Sequence, residues 1–323
     1  MNQNKVTIGI GILVILAVLA FMAVDFFIGL NRPEKNYYKF KLDKLKKVDS
    51  TLVNYSEIQQ FATDIEKLRA VAIDQNDNIY VTGKDRILIY DKKGNLQKDI
   101  KTGEEALSIK VKDVNNIFLG VRDHIEIWGS NGEQKDKWEI LNDRVVITSI
   151  ATTEESVFVA DAGNKIVYHY DFDGNLINEI GRKDSTKGVQ GFIIPSPYFD
   201  LAIGRDGELW VVNSGRHQLE AYDKVGNLKS SWKKTSMGLD GFSGCCNPSH
   251  IAILPNGSFV TSEKGIERIK IHQPSGEFES VVATPKDFKE GTKGLDLAVD
   301  SEGRVIVLDP KKGMIRIFEK DKL

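Results

Sequence analysis

The chain has 323 residues, of which 41% are hydrophobic and 28% charged, and its formal net charge is −2. This composition is that of a folded globular protein, so it excludes a low-complexity or intrinsically disordered chain. No cluster of basic and aromatic residues follows Lys47. Nucleic-acid binding is therefore disfavoured, because it needs cations that displace counterions from phosphates.

The N-terminal segment, residues 1–30, is predicted to be a membrane anchor. Residues 6–24 carry no charge between Lys5 and Asp25, and this length suits one membrane-spanning helix. A cleaved signal peptide is the alternative, but its apolar region would be shorter, and neither a small-residue cleavage pattern nor a lipidated cysteine is found here. We expect one uncleaved signal anchor that tethers the protein to a membrane through residues 6–24.

A basic juxtamembrane linker, residues 31–49, comes next. Positions 31–47 hold seven lysines and arginines against two acidic residues, which under the positive-inside rule would keep the following domain in the cytoplasm. A single anchor at the extreme N-terminus of a large domain more often delivers that domain outside. The sequence thus predicts a single-pass membrane protein with an extracytoplasmic globular part, although its two orientation signals conflict.

From residue 68 onwards the chain repeats. The unit has three apolar strands separated by short polar loops, then a turn such as D-x-x-G-N-L that leads into a fourth strand, as in VADAGNKIVYHYDFDGNL at 159–176. Six copies are present, and none shows helical periodicity. Four antiparallel strands repeated radially form a propeller blade. The predicted fold over residues 50–323 is all-β, a six-bladed β-propeller of four-stranded antiparallel blades.

The repeat units resemble a known family. VADAGNKIVYHYDFDGNL and VVNSGRHQLEAYDKVGNL look like NHL repeats, and so do the strand openings DLAIGRDGELWVV and DLAVDSEGRVIVL. The resemblance covers residues 68–320 and implies an NHL-type propeller. It implies little about function, because propellers serve as enzymes, scaffolds and ligand binders.

The last repeat ends after its third strand, at Glu319, so the ring needs a fourth strand from elsewhere. STLVNYSEIQQF, residues 50–61, is the available segment. We predict that it closes the sixth blade and joins the linker to the rim of the propeller.

One face of the propeller is predicted to bind a partner. The loops between second and third strands and the connectors between blades must emerge together, opposite the D-x-x-G-N turns. The connectors 181–198, 233–249 and 283–294 are long, and long loops in a compact domain often carry function. A protein or small-molecule ligand is expected there. The residues proposed to contact it are Arg216, His217, Phe242, Glu263 and Lys264. The alternative is that they are ordinary loop residues, solvated or packed.

The innermost strands are predicted to form a ring at the channel mouth. Their first residues are Ala70, Ser108, Ser149, Asp200, His250 and Asp296. Asp200, His250 and Asp296 could hold a metal ion. Alternatively, the two aspartates cap backbone amides and His250 is an ordinary polar residue of a water-filled channel.

Cys245 and Cys246 are adjacent in GFSGCCNPSH, residues 241–250, and the chain has no other cysteine. Three interpretations stay open: structural loop residues, a redox-active or disulfide pair, or metal ligands. Adjacent α-carbons are about 3.8 Å apart, closer than in usual disulfides, so a bridge would be strained and labile. As ligands, the thiols with His250 would suit zinc or copper, and an aspartate would complete the set.

Two functions follow from these features. Peptide-amidating lyases, which the fold resembles, hold a metal with several histidines, but only His250 takes a matching position here. No nucleophile elbow, phosphate loop or dinucleotide fingerprint is present. The leading hypothesis is a membrane-tethered recognition or assembly module rather than an enzyme. The alternative is a metal- or thiol-dependent enzyme or redox accessory protein that uses Cys245, Cys246 and His250.

Overall fold

The computed structural model describes residues 13–24, 43–139, 144–186 and 189–322. The chain divides into two compact units, Met1–Lys44 and Leu45–Leu323. In the first unit, residues 13–24 form a helix of exposed apolar side chains. Among the described residues, no helix combines the length and apolar character that a membrane span requires. The predicted anchor, residues 6–24, and the linker, residues 31–49, lie partly outside the described residues.

The second unit is a ring of six antiparallel four-stranded sheets, which confirms the predicted propeller. Five blades use four consecutive strands each, and the sixth combines three C-terminal strands with the first strand of the unit. The strands are β1 (Tyr55–Ala62), β2 (Ala70–Ile73), β3 (Ile79–Thr82), β4 (Arg86–Tyr90), β5 (Leu96–Lys101), β6 (Ser108–Asp113), β7 (Asn116–Val121), β8 (His124–Trp128), β9 (Gln134–Glu139), β10 (Ile147–Thr152), β11 (Val157–Asp161), β12 (Ile166–Tyr170), β13 (Leu176–Ile180), β14 (Leu201–Ile203), β15 (Leu209–Asn213), β16 (Gln218–Tyr222), β17 (Leu228–Lys233), β18 (His250–Ile253), β19 (Phe259–Glu263), β20 (Arg268–His272), β21 (Phe278–Ala283), β22 (Leu297–Val299), β23 (Val305–Asp309) and β24 (Met314–Lys320). Short 3₁₀ helices lie at Ser50–Leu52, Ser214–Arg216 and Pro285–Asp287.

The ring closes through β1, the outermost strand of the sixth blade. β1 pairs with β24 in antiparallel register from Tyr55 opposite Lys320 to Ala62 opposite Met314. Arg316 on β24 also donates to both carboxylate oxygens of Glu57 on β1, at 2.9 and 2.6 Å. The segment before the first repeat therefore joins the last repeat by backbone and side-chain bonds.

Neighbouring blades pack closely at the turns between third and fourth strands. Gly174 and Gly276 have φ values of +80° and +83°, and a Cβ on either would lie 2.7 or 2.6 Å from Trp138 or Trp232 of the preceding blade. Glycine is required there for two reasons, because other residues disfavour this backbone region and because the indole ring leaves no room. The repeated turn residue thus contributes to contact between blades.

Candidate functional site

The connectors and the loops between second and third strands lie on one face, which we call the connector face. It comprises residues 189–200, 234–249 and 284–296 together with the loops 214–217, 264–267 and 310–313. Loop and connector are bonded to each other: Arg216 donates to the Gly191 carbonyl at 3.1 Å, and Lys312 donates to that of Asp287 at 2.8 Å. These bonds hold the long connectors down on the blades.

Three residues of the predicted ring meet at the channel mouth. His250 Nδ1 lies 3.3 Å from Asp296 Oδ1 and 3.6 Å from Asp200 Oδ2. Each aspartate also caps the adjacent blade, since Asp200 accepts from the Ile251 amide and Asp296 from the Val71 amide, both at 2.8 Å. The side chains therefore connect the inner strands of neighbouring blades.

His250 carries a proton in this environment. Burial disfavours the imidazolium, but hydrogen bonding and charge from Asp200 and Asp296 outweigh burial and raise the pKa of His250 to about 10. An opposite charge at this distance favours the ionised form. At neutral pH this environment favours the imidazolium form of His250.

The metal interpretation can be tested against this geometry. Of the described residues, two groups bring three potential ligand atoms within 4.8 Å of one another: Asp200, His250 and Asp296, and Glu104, His124 and Glu126. Neither group contains a cysteine, so the two thiols and His250 do not form one ligand set. A metal at the ring would have to displace the His250 proton, because a histidine ligand is neutral. The aspartates already serve as amide caps, and the ring fits a structural role better than zinc or copper.

A cavity of about 240 Å³ lies below the ring and is lined by the six innermost strands. The residue two positions after each ring residue is alanine in five blades and Lys110 in the second. The Lys110 ammonium has no ion-pair or hydrogen-bond partner among the described residues, and burial lowers its pKa. Lys110 was not among the site residues predicted from the sequence, although the sequence shows its contrast with five alanines at the aligned position.

The two cysteines lie on the connector face, and their neighbours are not the ring residues but Ser196, Tyr198 and Lys264. Cys245 is exposed and Cys246 is buried, with 1% of its surface accessible. Their sulfur atoms are 3.0 Å apart, and Ser196 Oγ donates to Cys246 Sγ at 2.7 Å. Lys264 Nζ is 3.3 Å from Ser196 Oγ and lies 4.6 Å above the Tyr198 ring.

The cysteine loop is fastened to the fifth blade through Asn247. The Asn247 side-chain amide donates to the carbonyls of Ser243 and Lys264 at 2.8 and 3.1 Å and accepts from the Lys264 amide at 2.9 Å. His217 contacts the Gly244 carbonyl from the fourth blade. The loop is therefore held from two blades.

The residues predicted to contact a partner divide into two groups. Arg216, His217 and Lys264 are partly exposed on the connector face. Phe242 and Glu263 are buried, at 0% and 1% accessibility, so neither side chain reaches the surface. Phe242 packs on Trp232 and His272, and Glu263 pairs with two buried cations. Their assignment to the binding surface is corrected accordingly.

The buried network around Glu263 supports the cysteine loop from beneath. The Glu263 carboxylate pairs with Arg268 directly across the hairpin and with Lys270 at 3.3 Å. Arg268 donates to the Gly238 carbonyl at 2.9 Å, and Lys270 to that of Leu239 at 3.1 Å. Thus charged residues of β19 and β20 fix the connector that leads to Cys245.

A repeat signal could have revealed this network. The end of the second strand and the middle of the third strand carry complementary polar pairs in three consecutive blades. These pairs are Asn213 with Glu220 at 2.9 Å, Glu263 with Lys270 at 3.3 Å and Asp309 with Arg316 at 3.9 Å. Complementary polar residues at the same two repeat positions indicate burial inside the blade.

Comparison with known proteins supports the fold. No protein-family model matches the chain, and no curated protein matches it. Virginiamycin B lyase from Staphylococcus aureus is similar in structure, with a TM-score of 0.54 and 14% identity over 80% of this chain and 82% of that one. The WD40 β-propeller domain of Doa1 is also similar, with a TM-score of 0.56 and 14% identity over 83% of this chain and 98% of that one. A chain of the Mitotic Checkpoint Complex has a TM-score of 0.60 and 10% identity over 85% of this chain and 95% of that one. At these identities the chain shares the β-propeller fold with enzymes and with other propeller domains.

Proposed function

We propose that this protein is a membrane-tethered NHL-type propeller that binds a protein partner through its connector face. The observation that carries the proposal is a set of exposed apolar side chains on firmly held connectors. Val189, Ile193 and Met237 are 39%, 45% and 55% exposed. Exposed apolar residues rimmed by polar ones are typical of protein-interaction sites.

The backbone at these positions is fixed although the side chains are exposed. Ile193 donates its amide to Asn213 Oδ1 at 3.0 Å, and its carbonyl accepts from the Gly215 amide at 2.9 Å. Val189 exchanges two backbone hydrogen bonds with Asp184, at 2.9 and 3.0 Å. A surface that is ordered before binding loses less conformational entropy when a partner docks.

Two partly exposed cations lie at the connector that carries Ile193. Arg216 reaches the connector that carries Ile193, while Lys264 lies beside Ser196 of the same connector. Such a rim would favour a partner whose apolar contact is bordered by acidic groups. This chain is similar in structure to a WD40 domain and to a chain of the Mitotic Checkpoint Complex. That similarity supports partner binding by analogy of fold alone.

A photo-reactive amino acid placed at Val189 tests the proposal in cells that produce the full chain. We expect one discrete cross-linked protein adduct, because the side chain would lie inside the interface. Ile193→Asp should abolish it by burying a charge against the partner. Leu228→Asp is the matched control, since Leu228 is also exposed, at 55%, but lies after a D-x-x-G-N turn on the other face. An adduct that survives Ile193→Asp would refute the assignment of this face.

Membrane tethering is the second part of the proposal. The uncharged run at 6–24 and the exposed apolar helix at 13–24 support it. We expect the full chain to stay in the membrane pellet during alkaline carbonate extraction and a chain without residues 1–30 to appear in the supernatant. Release of the full chain would contradict the anchor.

The sidedness of the propeller is tested by its only two thiols. A membrane-impermeant maleimide should label intact cells at the exposed Cys245 if the propeller is extracytoplasmic. The Cys245→Ser, Cys246→Ser double variant gives the background. Labelling that requires cell lysis would place the propeller in the cytoplasm.

A further inference from the structure

The two adjacent thiols have the chemical surroundings of a reactive site. We propose that Cys245 and Cys246 form a dithiol–disulfide redox site that exchanges with disulfides of thiol compounds or peptides. This inference does not depend on the proposed partner, because it rests on the cysteine loop alone.

The first argument is the geometry of the sulfur pair. With 3.0 Å between the two Sγ atoms, one thiol already hydrogen-bonds the other. Ser196 Oγ donates a second hydrogen bond to Cys246 Sγ at 2.7 Å. When Cys246 is the thiolate, its sulfur accepts both hydrogen bonds, and Cys245 is the donor of the second one.

The second argument is charge. Burial raises the pKa of the Cys246 thiol, but hydrogen bonds from Ser196 and Cys245 and the nearby Lys264 cation outweigh burial and lower it. The pKa of Cys245 is raised, because its hydrogen bond to Cys246 and the charge of that thiolate favour the protonated form. The two neighbours therefore differ in character. A cation and hydroxyl beside one thiol are the usual means of producing a reactive cysteine.

The third argument is access. Cys245 is exposed and can meet a substrate, whereas Cys246 is shielded. The division suits a pair in which one sulfur contacts the incoming disulfide and the other completes the reaction. Asn247 and the Glu263 network hold the loop, so the sulfurs stay adjacent without a bond between them.

The reaction balances with a disulfide RSSR′ as the oxidant. Cys245 Sγ attacks one substrate sulfur, its proton passes to the Cys246 thiolate, and R′S⁻ leaves and is then protonated by Cys246. The regenerated Cys246 thiolate attacks Cys245 Sγ, displacing RS⁻, which takes up a proton from water. The cysteines lose two electrons and the substrate becomes two thiols.

Titration of the reduced full chain, kept in mild detergent, with buffers of graded oxidised-to-reduced glutathione ratio tests the inference. Samples are quenched by alkylation and read by intact mass. We expect both thiols to disappear together in a monomer with an internal disulfide. Cys246→Ser should instead accumulate a stable mixed disulfide with glutathione on Cys245, because no second thiol can displace it. A wild-type chain that accumulates the same mixed disulfide would overturn the proposal.

The role of Lys264 has its own readout. In the reduced protein, Lys264→Met should shift the pH midpoint of thiolate formation, followed by the ultraviolet absorbance of the thiolate, upward by roughly one unit, since it removes an opposite charge close to the Cys246 thiolate. Lys233→Met is the matched control, because Lys233 is an exposed lysine at the start of the connector that carries the two cysteines. Equal midpoints in the two variants would refute the activating role of Lys264.

Discussion

Replacement of Glu263 by glutamine is expected to lower the free energy of unfolding by about 3–5 kcal/mol, because it leaves two buried cations without their carboxylate. Arg268 and Lys270 are 1% and 0% accessible. Burial lowers the pKa of Lys270 to about 8, although the Glu263 carboxylate opposes that shift. Lys270 can relieve the loss by releasing its proton, whereas Arg268 stays charged. Denaturant unfolding of the full chain, followed by fluorescence of its four tryptophans, measures the change.

Two control variants separate the loss of the buried carboxylate from the general effect of removing a charge. Lys84→Met removes an ion pair with Glu66 whose side chains are 48% and 68% exposed, and it should lower the free energy of unfolding far less than Glu263→Gln, because solvent screens an exposed pair. The triple variant Glu263→Leu, Arg268→Met, Lys270→Met removes all three charges and should be more stable than Glu263→Gln. If Glu263→Gln were as stable as Lys84→Met, the buried network would not be supporting the loop.

The stability that His250 provides should vanish in alkaline solution. The folded pKa of His250, about 10, lies above its ordinary value of 6.5. A folded pKa that is raised gives stability that is fully present below the unfolded pKa and is lost as the pH rises through the folded pKa. The wild type should therefore lose its advantage over His250→Gln by about 1.4 kcal/mol per pH unit between about pH 6.5 and pH 10. The total is of the order of 5 kcal/mol.

The comparison with His250→Gln separates this residue from the other groups that titrate in the same range. Lys270 acts in the opposite direction above pH 8, because its folded pKa is lowered, but it does so in both proteins. Asp296→Asn should narrow the pH range over which this stability is lost, since it removes one of the two carboxylates that raise the pKa of His250. Parallel stability curves for wild type and His250→Gln would show that His250 is not protonated in the folded state.

Much of the architecture follows from local patterns. A D-x-x-G-N turn needs only its own residues, as in Asp171 and Asn175, where two hydrogen bonds of 2.8 Å close the turn. Alternating apolar strands between such turns give a blade, and six copies require a ring. The repeat count also required a strand from before the first repeat, and β1 pairs with β24. These features could be predicted because each depends on residues close in sequence or on the number of repeats.

The reactive groups depended on distant residues instead. Ser196 is 50 positions from Cys246 and 68 from Lys264, so no spacing rule connects them. Glu263 lies beside the hairpin loop that carries Lys264 and looked like a solvated charge in the sequence. Its burial arises because the connector containing Gly238 and Leu239 folds back over the hairpin.

The sequence by itself determined the propeller, its order of strands and the face that bears the long connectors, because repeated short-range patterns specify each blade. Only the tertiary structure decided which polar residues are buried, that His250 is held between two aspartates and that Cys246 lies beside Ser196 and Lys264. The physical reason is that burial, proton affinity and thiol reactivity depend on groups that different blades bring within a few ångströms.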